Sequence, residues 1–177
     1  MSDLTRIRVD NGDWECFEDG WKASCEKFGE DFLDFFPQSL PSLKNIALEN
    51  EDRTHSGIFG LSGVDSETDA IFFANCALLK GYDGHVLRVR HVLFSPKYDF
   101  GELDVEDFQN LLKRLLINWL LISENSLKAN HIKIHLRSPS DAVFLKELSR
   151  NLVNEDIFSK VESHGAWISV SKKLLDC

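Results

Sequence analysis

Residues 87–136 constrain this chain more than any other stretch. Residues 87–96 alternate polar and apolar and then become continuously apolar, as a strand does when it passes from a half-exposed to a buried setting. A short loop bearing Gly101, residues 97–101, leads into a long apolar helix expected over 104–125. Val105, Phe108, Leu111, Leu112, Leu115, Leu116, Trp119 and Leu120 recur at helical spacing. Leu121 and Ile122 widen that stripe, so the helix packs on a sheet and is buried on more than one side. Asp104, Glu106 and Asp107 suit its N-terminal end, where the helix dipole favours negative charge. A strand follows at 131–136, with Ile132, Ile134 and Leu136 on one face. A strand that enters a helix through a short loop is a common phosphate-binding arrangement, because the first backbone N–H groups of the helix are free to donate.

The rest of the chain supplies strands and helices around this unit. Residues 5–9 alternate as a first strand. Trp21, Cys25, Phe28, Phe32, Phe35 and Phe36 recur at intervals of three and four, which predicts one helix over 14–36 ended by Pro37. A shorter helical segment begins at 40–42 and carries Leu43, Ile46 and Ala47. Residues 56–64, 70–80 and 87–94 read as three strands joined by turns, hence an antiparallel meander, although 70–80 also suits a helix. A helix over 140–153 and a hairpin of 159–164 and 166–171 across Gly165 close the chain. The order β-α-α-β-β-β-α-β-α-β-β describes an α/β (α+β) protein, and 177 residues favour one domain over 1–177.

The formal net charge of −9 argues against a nucleic-acid binder, and the basic run at 87–91 is split by a strand between two faces. Such acidity commonly serves solubility; a surface for a basic partner is the sharper alternative. Cys16, Cys25, Cys76 and Cys177 show no close pairing and no Cys/His metal spacing, so no metal is expected and a reducing compartment fits. Asp65, Glu67 and Asp69 alternate like part of a calcium loop but lack its Gly and terminal Glu. No basic-then-apolar leader occurs, and the most apolar stretch, 111–122, carries Lys113, Arg114 and Asn118 and is too short for a bilayer. A cytoplasmic protein away from membranes is the expectation.

The segments VLFSPKYDFGELDVEDFQNLLKRLLINW and IKIHLRSPSDAVFLKEL, with the element order around them, resemble the GNAT superfamily of acyl-CoA N-acyltransferases over essentially the whole chain. The former is similar to that family's fourth strand, acyl-CoA loop and third helix; the latter is similar to its fifth strand and fourth helix. The resemblance implies a mixed, mostly antiparallel twisted sheet flanked by helices. It also implies acetyl-CoA or another acyl-CoA as cofactor, and acyl transfer to the amine of a small molecule or protein by direct attack, with strand amides stabilising the oxyanion. Val92, Leu93 and Phe94 would offer main-chain groups to the pantetheine arm, and Lys97 and Gly101 would meet the phosphates.

The family's loop typically reads Arg or Gln, two residues, Gly, one residue, Gly or Ala. Here Tyr98 stands in the basic position, Leu103 in the second small position, and Asp99, Glu102 and Asp104 bring carboxylates to the place of phosphates. Each like-charge contact opposes binding by roughly 1 kcal/mol or more. The tyrosine that in many members protonates the leaving thiolate would fall at Phe144 or Leu145, and neither donates a proton. Tyr98, inside the loop, is the remaining tyrosine candidate for a catalytic role.

His91 on the fourth strand could take a proton from an amine, or be structural. His131 and His135 share a strand face roughly 13 Å apart, too far for one metal without bending. Acidic residues at 15–34 suit a cationic acceptor or a solvated helix face. The leading functional reading is an N-acetyltransferase. A non-catalytic relative that binds a protein or small ligand is the alternative, and an acidic antagonist of a basic or DNA-binding partner is a third.

Overall fold

Gly29 divides the aromatic N-terminal segment. Helix α1 (Asp13–Phe28) ends where Gly29 takes φ +73° and its N–H closes onto the carbonyls of Cys25 and Glu26. An L side chain rarely adopts that backbone, so the glycine stops the helix. The N–H of Glu30 returns to the Cys25 carbonyl at 3.1 Å. The Asp31 carboxylate then accepts from the Leu33 N–H at 2.7 Å and opens α2 (Phe32–Phe35). The single helix expected over 14–36 is therefore two; periodicity alone runs straight through the break. Phe36 and Pro37 lie outside the described residues.

The computed structural model describes residues 3–35, 39–50, 52–63, 67–136, 139–154 and 157–173. The remaining elements are β1 (Leu4–Ile7), α3 (Ser39–Glu49), β2 (Ser56–Ser62), β3 (Thr68–Leu78), β4 (His85–Phe94), α4 (Lys97–Phe100), α5 (Val105–Glu124), β5 (His131–His135), α6 (Pro139–Asn154), β6 (Phe158–His164) and β7 (Trp167–Lys172). The strands lie in the order β1-β2-β3-β4-β5-β7-β6. Pairing is parallel for β4 with β5 and antiparallel for β1 with β2, β5 with β7 and β6 with β7. This is the expected mixed, mostly antiparallel sheet with flanking helices, in the expected order. Of the segment 70–80, residues 70–78 fall on a strand rather than a helix, and residues 97–100 of the expected loop wind into the short helix α4.

The chain divides into two compact units. The first comprises Met1–Phe73 and His91–Leu111. Its core gathers Trp14, Phe17, Trp21 and Cys25 of α1, Leu40, Leu43 and Ala47 of α3, and Ile7, Ile58, Ile71, Phe73 and Leu93 of the strands. The rings of Trp14, Phe17 and Trp21 meet edge to face with centroids 5.4 and 4.6 Å apart. The Arg6 guanidinium donates to the carbonyls of Asn50, Arg53 and Ser56 at 2.6, 2.8 and 3.0 Å, tying the approach to β2 onto β1.

Cys25 lies in this core. Burial first, then Asp31 and Glu30, push its thiol above the ordinary pKa. Cys16, on the same helix, is exposed. Alkylation of the native protein followed by peptide mass mapping is expected to modify Cys16 at least about tenfold faster than Cys25, because only an accessible thiolate reacts. Equal rates would show that α1 opens readily.

The second unit comprises Ala74–Arg90 and Leu112–Cys177. Leu112, Leu115, Leu116, Trp119 and Ile122 of α5 are buried, as are Leu87, Val89, Ile132, Ile134, Ile168 and Val170 of the strands and Leu145 of α6. Strand alternation turns His131, Lys133 and His135 to the opposite, half-buried face.

Candidate functional site

The end of β4, α4 and the start of α5 hold most of the residues singled out in the sequence, all within the first unit. In the second unit, β4 and β5 pair from Val86 with His131 to Val89 with Ile134. Two residues past Val89, His91 adopts φ +54°, and it is the non-glycine residue with positive φ among the described residues. A β-carbon in the left-handed region costs about 1–2 kcal/mol, and such strain persists only where the surroundings enforce it. Beyond this turn of the backbone, Leu93 enters the core and Phe94 meets Phe108 of α5 edge-on at 5.0 Å. Val92 is half-buried.

His91→Gly removes that strain while loosening the unfolded chain. A net rise in melting temperature of about 2 °C is expected by calorimetry. A fall would show that the imidazole's own contacts outweigh its backbone cost.

The Lys97 ammonium pairs with the Asp69 carboxylate. Asp69 is 1 % exposed, and its carbonyl accepts from the Ser95 N–H at 2.8 Å, so β3 and the end of β4 are joined twice. Lys97 also lies 5.2 Å from the centre of the Tyr98 ring, and that ring stands edge-on to Phe108 at 6.0 Å. Gly101 closes α4 by donating its N–H to the Lys97 carbonyl at 2.9 Å. A β-carbon at Gly101 would lie 2.3 Å from that same oxygen, so a larger residue would force the turn apart. The small residue at this position thus serves the close approach of the backbone to itself.

The N-terminus of α5 is capped by its own side chains. The Asp107 N–H donates to Asp104 Oδ1 at 2.9 Å, and the Asp104 N–H donates to Asp107 Oδ2 at 3.3 Å. This reciprocal pattern is a capping box, and it uses backbone donors that an anion would otherwise take. Asp99 stands at the surface, yet desolvation by the surrounding chain raises its carboxyl above the ordinary pKa. Carboxylates therefore occupy the region where an anionic ligand would approach.

Other candidates have local roles. His131 Nε2 lies 2.8 Å from the Asp83 carbonyl and therefore donates to it, and Nδ1 lies 2.8 Å from the Ser171 hydroxyl. His135 packs against Trp167 with ring centroids 4.7 Å apart. Among the described residues, no three His, Cys, Asp or Glu side chains converge on a metal position. The acidic face of α1 is partly neutralised: Lys22 reaches Glu18 and Asp19, and Lys44 reaches Glu15 and Glu18, all at 3.4–3.8 Å. Leu145 is buried in α6. A cleft of about 350 Å³ lies beside α1, lined by Thr5, Cys16, Phe17, Gly60, Glu67 and Thr68.

Sequence reasoning did not find the roles of Asp69 and of the His91 backbone. The signal for Asp69 is a lone carboxylate opening an apolar strand; nothing in the sequence signals a left-handed histidine.

No family model and no curated protein matches this sequence. Solved structures with a similar course of chain include a possible acetyltransferase from Clostridium difficile 630 at 14 % identity, covering 85 % of this chain and 88 % of that one, with a TM-score of 0.45. A spermidine N-acetyltransferase chimera from Vibrio cholerae and hSSAT shares 12 % identity over 95 % of this chain and 92 % of its own, with a TM-score of 0.43. A GNAT-family acetyltransferase from Staphylococcus aureus Mu50 shares 9 % identity over 95 % and 98 %, with a TM-score of 0.39. Likeness at this level carries no residue roles to the present chain.

Proposed function

We propose that this chain is a binding module for a protein partner, built on an acyltransferase-like framework whose phosphate loop serves the fold rather than a cofactor. The observation that carries this reading is the capped start of α5, where Asp104 and Asp107 take up each other's backbone N–H and set two carboxylates there. Two features support it. Lys97, the cation nearest the loop, is committed to Asp69, and Gly101 is needed by the α4 turn.

The same region offers a surface for a partner. Leu33 and Val105 are 74 % and 75 % exposed, and Phe28 and Phe35 lie 6.2 and 5.0 Å from the Phe100 ring. Exposed apolar groups of this kind mark interaction surfaces more often than isolated ones do. The exposed carboxylates Glu30, Asp31, Asp34, Asp99, Glu102 and Glu106 flank these residues along the chain, so a partner with basic residues around an apolar stripe is the complementary one.

A second reading, acyl transfer from acetyl-CoA to the amine of a small molecule or protein, is favoured by the left-handed backbone at His91. In that reading the deprotonated amine attacks the thioester carbonyl, the coenzyme thiolate leaves, and His91 takes the amine proton. The main chain at Val92, Leu93 and Phe94 lines the acyl arm, and Tyr98 is the candidate proton donor to the thiolate.

Calorimetric titration with acetyl-CoA separates the two. The binding-module reading expects no saturable heat at the β4–α5 region up to about 1 mM. One-site binding in the micromolar range that survives loss of cations elsewhere would overturn it and direct work to an amine-acceptor screen.

A further inference from the structure

In the second unit, α6 packs on β6 and β7 and leaves a groove beside its first turns. Leu145 and Ser149 of α6 are fully buried. One turn before Leu145 stands Ala142, whose methyl group is too short to fill the space over the sheet. The result is a concavity of about 310 Å³. The buried Leu136 and Ile168 form its floor, and the exposed Val143 and Ala166 form its walls. The register sets Ser163 opposite Ile168, so the Ser163 side chain joins the same face.

Lys146, one turn after Ala142, supplies the charge of this groove. It is half-buried, and among the described residues no carboxylate pairs with it. Its neighbour Glu147 is taken by Arg150 at 2.9 Å. Glu162 of β6 stands in register with Ser169, which puts it on the other face of the sheet. The described lining of the groove is therefore apolar, with one ammonium, one hydroxyl and no acid.

We propose that this groove binds a small aliphatic carboxylate. The chain lies over Leu136 and Ile168, and the head group pairs with Lys146 and accepts from the Ser163 hydroxyl. A carboxylate suits the site better than a phosphate, because a single ammonium balances a single negative charge. An aliphatic amine would meet Lys146 as a like charge, and an alcohol would leave its charge unmet. The chain is held because each methylene taken out of water adds to affinity. Small-molecule sites typically span about 300–1,000 Å³, and this groove lies at the lower end of that range, which suits a chain the size of octanoate. The site uses no residue of the β4–α5 region, so it stands whether or not acetyl-CoA binds there.

The test is calorimetric titration of the full chain with sodium octanoate at about 0.15 M salt, where screening limits repulsion by the net charge of −9. One-site saturation and a melting temperature that rises with ligand are expected. Hexanoate should bind about tenfold more weakly, at about three- to fourfold for each methylene lost. Lys146→Gln should weaken octanoate about fivefold and leave octanol unchanged. Ala166→Trp, at an exposed position, should fill the groove and abolish binding with little change in melting temperature. Ala142→Leu should do the same from the helix side. No saturation up to about 10 mM, equal octanoate binding by the wild type and Lys146→Gln, or octylamine binding as tightly as octanoate would overturn the proposal. So would a dimer, seen by sedimentation, that Ala166→Trp dissociates and octanoate does not, because the groove would then belong to a second copy of the chain.

Discussion

Lys97→Ala is expected to destabilise the protein by about 3 kcal/mol and to lower its melting temperature by roughly 6–12 °C. The reason lies in Asp69, whose side chain is 2 % exposed while that of Lys97 is 25 % exposed. Removing one member of a buried pair leaves a charge that neither water nor an opposite ion compensates, and this typically costs about 3–5 kcal/mol. The partial exposure of Lys97 lets water replace some of the lost interaction, which places the expectation at the lower end. The double change Asp69→Asn with Lys97→Met removes both charges and should cost less than Lys97→Ala alone, because no ion is stranded. Differential scanning calorimetry of the wild type and these variants makes the comparison. An unchanged melting temperature in Lys97→Ala, coupled to weaker acetyl-CoA binding, would return Lys97 to the role of phosphate ligand.

Trp21→Ala is expected to have the larger effect. Trp21 is 1 % exposed, stacks edge-on with Phe17, and donates its indole N–H to the Thr68 carbonyl at 2.6 Å. Truncating a buried Trp costs about 3–5 kcal/mol through lost burial and the cavity left behind. A stranded carbonyl adds about 1 kcal/mol. Against a total stability of about 5–15 kcal/mol, this leaves a protein that is partly unfolded at room temperature or melts more than about 10 °C below the wild type. Trp21→Phe keeps most of the ring and loses the hydrogen bond, so about 1–2 kcal/mol is expected. Urea titrations of both variants separate packing from hydrogen bonding. A small loss in Trp21→Ala would mean that α1 is not integral to the first unit.

The two residues differ in how far the sequence exposes their roles. Trp21 belongs to a stripe of aromatic residues at helical spacing, so its burial can be read before any fold is known. Its hydrogen-bond acceptor cannot, because Thr68 reaches it only once β3 lies under α1. Asp69 and Lys97 look like a turn residue and a loop cation; their pairing exists because β3 and the end of β4 are neighbours. Asp104 and Asp107 stand between these extremes. Their spacing of three ahead of an apolar run permits a capping box, and the backbone geometry of α5 realises it.

What the sequence determined by itself is whatever depends on nearby residues: the order of the main strands and helices, the buried stripe of α5, the two faces of β5 and the acidic start of α5. These follow from the 3.6- and 2-residue periods and from capping, which act within a few residues. The tertiary structure alone decided which charges meet, such as Lys97 with Asp69, and that Arg88 and Lys133 stand side by side on one face. Those depend on strand order and register, which bring together residues far apart in the chain, and a one-residue change of register would place every one of those side chains on the opposite face.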